Sequence, residues 1–215
     1  MTSWKQLQQT LALIAGLGLV VPTTAFSEDR AQPAARAAAP KAISPDIALT
    51  AEGAFRGSLI DGSKKPMADV TEADYERSHR ANTKAVLFVM QESARRMADG
   101  GRIIHIGTSL TAGSAPNYAL YAGTKAPAEE FTRMLSKEIG KRGITVNNIA
   151  PGPLDNSFYH AAETPQTAAI AANFSVAGRL GKESDITPVV EFLASPQSQW
   201  VTGQVLWVNG GYLTR

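Results

Sequence analysis

Three short apolar runs separated by helix-compatible stretches constrain this chain more than any other feature. "RIIHIG" at 102–107, "ITVNNIAPG" at 144–152 and "GQVLWVNGG" at 203–211 are bounded by glycines and too short for helices. Runs of this kind read as strands buried on both faces of a parallel sheet. Between them lie "ALYAGTKAPAEEFTRMLSKEIGKRG", with Phe131, Met134, Leu135 and Ile139 at helical spacing, and "SDITPVVEFLAS", a short helix. Strands alternating with helices predict an α/β, Rossmann-like fold: a partial doubly wound parallel sheet with flanking helices and right-handed crossovers.

Upstream, "DVTEADYERSHRANTKAVLFVMQESARRMADGG" opens with Thr71 and Asp74 in capping-box spacing and stays helix-compatible to Gly100, which predicts a helix or a kinked helix pair. "GSLIDG", 57–62, offers a short strand and turn. Residues 26–57 are dominated by Ala and Pro and read as a linker or tail. Residues 1–25 place Lys5 before an apolar run, Leu11–Val21, and then "PTTA", the order of a secretory signal peptide with cleavage after Ala25. A run of that length falls short of the roughly 20 residues that span a bilayer. The other reading of "AGLGLVV" is a buried first strand. The partial α/β domain is then 58–215.

Composition removes several function classes. Net charge is +2 with 19% charged residues and no long basic cluster, so nucleic acid is not an expected partner. With no cysteine, disulfides and thiolate or zinc-thiolate chemistry are excluded. The three histidines, His79, His105 and His160, lie far apart and show no metal-ligand spacing.

Tyr121 and Lys125 in "YAGTK" stand at i and i+4, a spacing that by itself describes any half-exposed aromatic beside a snorkelling lysine. Other residues give it weight by their order along the chain. Asn82 lies in the preceding helix, and Ser109, just beyond the first strand, stands twelve residues before Tyr121, with Thr108 at thirteen as the alternative. Pro151-Gly152-Pro153 follows the second strand and Val208-Asn209-Gly210-Gly211 closes the third. From Lys65 to Arg215 this set resembles the short-chain dehydrogenase/reductase family, with its Y-x-x-x-K, upstream serine, helix asparagine, P-G segment and final V-D-G-G.

The resemblance implies an NAD(P)-dependent oxidoreductase transferring hydride between nicotinamide and a small alcohol or carbonyl. Tyr121 would be the acid or base, because an oxygen receiving hydride on its carbon needs a proton. Lys125 would lower the phenol's pKa by attraction and hold the nicotinamide ribose. Ser109 would orient the substrate oxygen, and Asn82 would hold a water leading from the lysine to solvent. Tyr121, Lys125, Pro151, Gly152 and Pro153 would form the cofactor side. Relatives also imply a homo-oligomer through helices 71–98 and 119–141.

The chain departs from the family at its front. It has no T-G-x-x-x-G-x-G turn to cradle a pyrophosphate, reads "IDGSKKPM" in place of N-N-A-G, and carries Asn156 where relatives have threonine. Cofactor binding is therefore expected to be weak or partner-dependent, and the strand 102–107 to present an open edge. Two other functions follow from the same gap: a catalytically inert binding or oligomerisation module, and the product of a truncated gene. Export and nicotinamide chemistry also point to different compartments.

Overall fold

The computed structural model describes residues 64–113 and 115–214, together with the backbone of a strand at Leu19–Val21. "GSLIDG", the linker and the rest of the signal-like segment lie outside the described residues.

In chain order the elements are β1 (Leu19–Val21), α1 (Glu72–His79), a π-helical turn (Arg80–Lys84), α2 (Ala85–Arg96), β2 (Arg102–Ile106), α3 (Ala119–Lys125), α4 (Pro127–Ile139), β3 (Thr145–Pro151), α5 (Ser157–His160), α6 (Pro165–Phe174), α7 (Glu183–Ala194) and β4 (Val205–Val208). The sheet order is β1-β2-β3-β4, with β2, β3 and β4 mutually parallel as expected. The edge of β2 is not open. Leu19–Val21 pairs antiparallel with it, Leu19 opposite Ile104 and Val21 opposite Arg102, and so supplies the donors and acceptors that an unpaired strand would leave bare.

Alternation along the strands divides the core. Ile104, Ile106 and Ile149 point to one face and pack under α7 through Ile186, Val190 and Leu193. Ile103 and Val146 point to the other, against Met97 at the end of α2 and Ile139 of α4. Both faces are covered, which explains why these strands read as largely apolar runs with little alternation.

Local chemistry sets the ends of the elements. The Thr71 hydroxyl accepts from the Asp74 amide at 3.2 Å, and the Asp74 carboxylate accepts from the Thr71 amide at 3.1 Å, the reciprocal cap that the spacing predicts. Pro127 is the first residue of α4, where its missing N–H costs nothing, and Ala126 before it keeps helical dihedrals, so α3 runs directly into α4. Gly143 ends the following turn at φ 70°. No helix among the described residues is long and apolar enough to cross a membrane.

Candidate active site

The carboxyl ends of β2 and β3, the start of α3 and the helices α5 and α6 surround a cavity of about 420 Å³. Ile106 to Leu110 line one wall, Tyr118 and Tyr121 another, and Pro151, Gly152 and Pro153 the floor after β3. A crevice outside the carboxyl ends of parallel strands is where open α/β sheets bind their ligands.

Tyr121 sits half-buried in the first turns of α3 and lines this cavity. Its phenol is hydrogen-bonded to the side chain of Thr108, which draws its pKa down, but burial outweighs that and pushes it up to about 12. Lys125, one turn on, is buried, with its ammonium 6.0 Å from the Tyr121 ring centroid and 3.5 Å from the Ile106 carbonyl oxygen. It lies behind the cavity wall, and burial lowers its pKa to about 8. Desolvation of the phenolate is thus the larger effect on Tyr121, and its net shift is upward.

The two candidates after β2 part company. Thr108 contacts Tyr121, whereas the Ser109 hydroxyl donates to the Ala150 carbonyl at 2.9 Å and accepts from the Asn209 amide at 3.3 Å, tying β2 to the ends of β3 and β4. Ser109 still borders the cavity, though its hydroxyl is occupied by backbone.

Asn82 lies in the π-helical turn. Its amide donates to the Thr124 hydroxyl at 3.0 Å, while the neighbouring Thr83 hydroxyl donates to the Thr124 carbonyl at 2.6 Å. The wide turn brings two consecutive side chains onto the residue beside Lys125, a use typical of π-bulges. The Asn82 Oδ1 is buried with no hydrogen-bond partner among the described residues. Deeper on the same sheet face, His105 and Asn148 are register partners on β2 and β3. Their side-chain nitrogens and oxygen are likewise buried without partners among the described residues. Burial and the nearby ammonium of Lys125 hold His105 neutral, its pKa lowered to about 3.

Sequence reasoning missed Thr124, His105 and Asn148, together with Glu163, whose carboxylate accepts from the Tyr118 hydroxyl and from Lys64 Nζ, the latter at 2.6 Å. Only a polar residue inside an apolar strand run, such as His105 in "RIIHIG", was available as a signal. Asn156, which departs from the expected threonine, caps α5 by accepting from the Tyr159 amide at 3.0 Å and also lines the cavity. No cluster of three or more metal-ligating side chains occurs among the described residues.

Comparison with known proteins adds the following. Residues 5–213 match the family described as Enoyl-(Acyl carrier protein) reductase. An Arabidopsis thaliana protein named NADPH-dependent aldehyde reductase-like is 36% identical over 157 residues, covering 72% of this chain and 58% of the relative. The hydroxynaphthalene reductase-like protein Arp2 of Metarhizium brunneum is 39% identical over 163 residues, covering 70% and 61%. A Burkholderia cenocepacia protein described as a dehydrogenase, solved with bound NADP, superposes with a TM-score of 0.64 at 39% identity, covering 71% of this chain and 59% of that one. The chain thus spans about three-fifths of the length of the relatives it matches.

Proposed function

Because the chain belongs to the short-chain dehydrogenase/reductase family, we propose that it is an NADP(H)-dependent carbonyl reductase whose proton donor is Tyr121. The observation that carries this reading is the Tyr121 phenol on the wall of a cavity, beside Thr108, with the side chain of Lys125 buried one helical turn behind it.

Each residue then has a task in the reduction. Tyr121 gives its phenolic proton to the oxygen of the carbonyl as negative charge develops there. Thr108 orients the phenol. Lys125, charged below pH about 8, stabilises the phenolate left behind. Asn82 and Thr83 fix the turn of α3 that carries the lysine through Thr124. Both curated relatives above carry reductase in their names, which supports reduction as the working direction.

Tyr121 and Pro151–Pro153 share the cavity wall and fit the nicotinamide end of a dinucleotide, which when bound supplies the hydride. NADP is the first form to test because the solved relative carries it. The pyrophosphate has no glycine-rich turn in this sequence to receive it. Weak binding, or binding completed by a partner chain, follows. That same gap favours the second reading, an inert module that assembles without a cofactor.

A titration of the full chain with NADPH and NADH, followed by cofactor fluorescence, separates the two. Saturable binding together with carbonyl-dependent NADPH oxidation is the expected result. Tyr121→Phe is expected to reduce that oxidation by about 10²- to 10⁴-fold with binding retained. A cooperatively folded chain that binds neither nucleotide overturns the reductase reading and leaves the inert module.

A further inference from the structure

We propose that the cavity beside Tyr121 selects uncharged aromatic ketones, its rings favouring an aromatic guest and a wall whose lysine is already paired offering acids no compensating charge. The inference rests on the carbonyl-reductase reading and adds to it the class of substrate.

The rings come first. Tyr118, Tyr121, Phe158, Tyr159, Phe174 and Tyr212 line the cavity, so four of the chain's five tyrosines are gathered around one space. They arrive from separate places: the turn before α3, α3 itself, α5, the end of α6 and the segment after β4. Two pairs already meet edge to face, Tyr118 with Tyr121 at 6.3 Å and 69°, and Phe174 with Tyr212 at 5.7 Å and 85°. Aromatic rings in such pairs keep faces and edges available to a further ring, whose quadrupole they complement. Phe174 and Ile170 at the rim of α6 remain more than half exposed, apolar area that a guest would cover.

Charge supplies the second filter. Glu163 is the cavity's carboxylate, and its side chain is only 5% exposed. Lys64 is the basic residue on the described wall, and its ammonium is committed to Glu163 at 2.6 Å while lying 5.3 Å from the Tyr118 ring centroid. A substrate carboxylate or phosphate would therefore meet an ion pair that is already neutralised and no uncommitted cation on the described wall. It would lose its hydration without compensation. Burial and, after it, the Glu163 charge raise the pKa of Tyr212, and burial raises that of Tyr159, so these phenols stay neutral donors.

Hydrogen-bond supply is the third. The Asn156 side chain is engaged in capping α5, and the Thr167 side chain in a reciprocal cap with Thr164. An aromatic ketone needs little beyond the donor on its carbonyl oxygen.

The test measures binding to the full chain without cofactor, by calorimetry, using three probes of similar outline: 2-naphthol, 2-naphthoate and the saturated 2-decalol. The naphthol is expected to bind saturably, the naphthoate at least tenfold more weakly, and the decalol several-fold more weakly. Phe174→Ala, a change at an exposed rim position, is expected to weaken the naphthol by tenfold or more, and Glu163→Gln to narrow the gap between naphthoate and naphthol. Naphthoate binding as well as naphthol, decalol matching it, or no saturable binding to folded protein each overturns the inference. Adding NADPH and 2-tetralone then tests the reductase reading separately: naphthol binding without ketone-dependent NADPH oxidation removes that reading and leaves the aromatic selectivity standing.

Discussion

Thr108 and Ser109 are neighbours at the end of β2, and the fold gives their hydroxyls opposite tasks. Thr108 holds the Tyr121 phenol, and Ser109 closes the strand ends through Ala150 and Asn209. Thr108→Ala should therefore lower kcat by about 10- to 100-fold, the value of one lost hydrogen bond at a reacting group, with little change in unfolding. Ser109→Ala should show first in stability, at about 1 kcal/mol in a denaturant titration, because it strips a partner from a buried carbonyl. The opposite pattern would return the substrate-orienting role to Ser109. Spacing alone left the two residues one apart and indistinguishable; only the direction of each side chain separates them. A second residue-scale consequence concerns His105, buried and neutral with its pKa lowered from 6.5 to about 3. The unfolded chain binds a proton there below pH about 6.5 and the folded chain does not, so the stability is present above that pH and is lost as pH falls through the window toward 3. Carboxylates held low by partners, such as Asp185 at about 2, give up their contribution only at lower pH. A drop on the order of 2 kcal/mol between pH 6.5 and 5 is expected from the 1.4 kcal/mol carried by each pH unit. His105→Leu should flatten it, and urea midpoints at the two pH values measure both.

At the scale of elements, the strands and the first helix were legible because their causes are local. β2, β3 and β4 fall inside the apolar runs 102–107, 144–152 and 203–211, and α1 begins at its Thr71–Asp74 box. The π-helical turn was not legible, since it widens to satisfy contacts from Asn82 and Thr83 to Thr124, some forty residues away in sequence. Pro127 starts α4, and Ala126 before it keeps helical dihedrals. The same two helices bear on assembly. Val86 and Met90 of α2 pack on Ala128 of α4, while Leu87, Phe88 and Met134 of this pair stay 43%, 49% and 50% exposed. We propose, in line with the expected homo-oligomer, that these exposed apolar side chains meet a copy of the chain. Phe88→Asp would place a charge in the contact, and sedimentation is expected to show the wild-type dimer replaced by monomer. A wild-type chain that sediments as a monomer at high concentration removes the proposal.

At the scale of the molecule the decisive feature is how the sheet ends beyond β2. A parallel strand covered on both faces is the least suited to stand at an open edge, because its unpaired amides and carbonyls adjoin fully apolar surroundings. Here Ile103 and Ile104, both buried, are paired by the short antiparallel strand Leu19–Val21. That pairing joins segments too far apart for any local pattern to announce, and the apolar run 11–21 reads first as an export signal. The two roles make opposite demands on residues 1–25: a strand must stay with the protein, and a signal must leave it. Comparing 1–215 with 26–215 by thermal unfolding and light scattering decides between them. If β1 completes the sheet, the shorter chain is expected to melt several degrees lower and to self-associate through the bared edge of β2, since loss of one edge strand removes both ladder hydrogen bonds and burial. An unchanged melting temperature with a monodisperse shorter chain would show that the sheet does not depend on β1 and would favour the export reading of the segment.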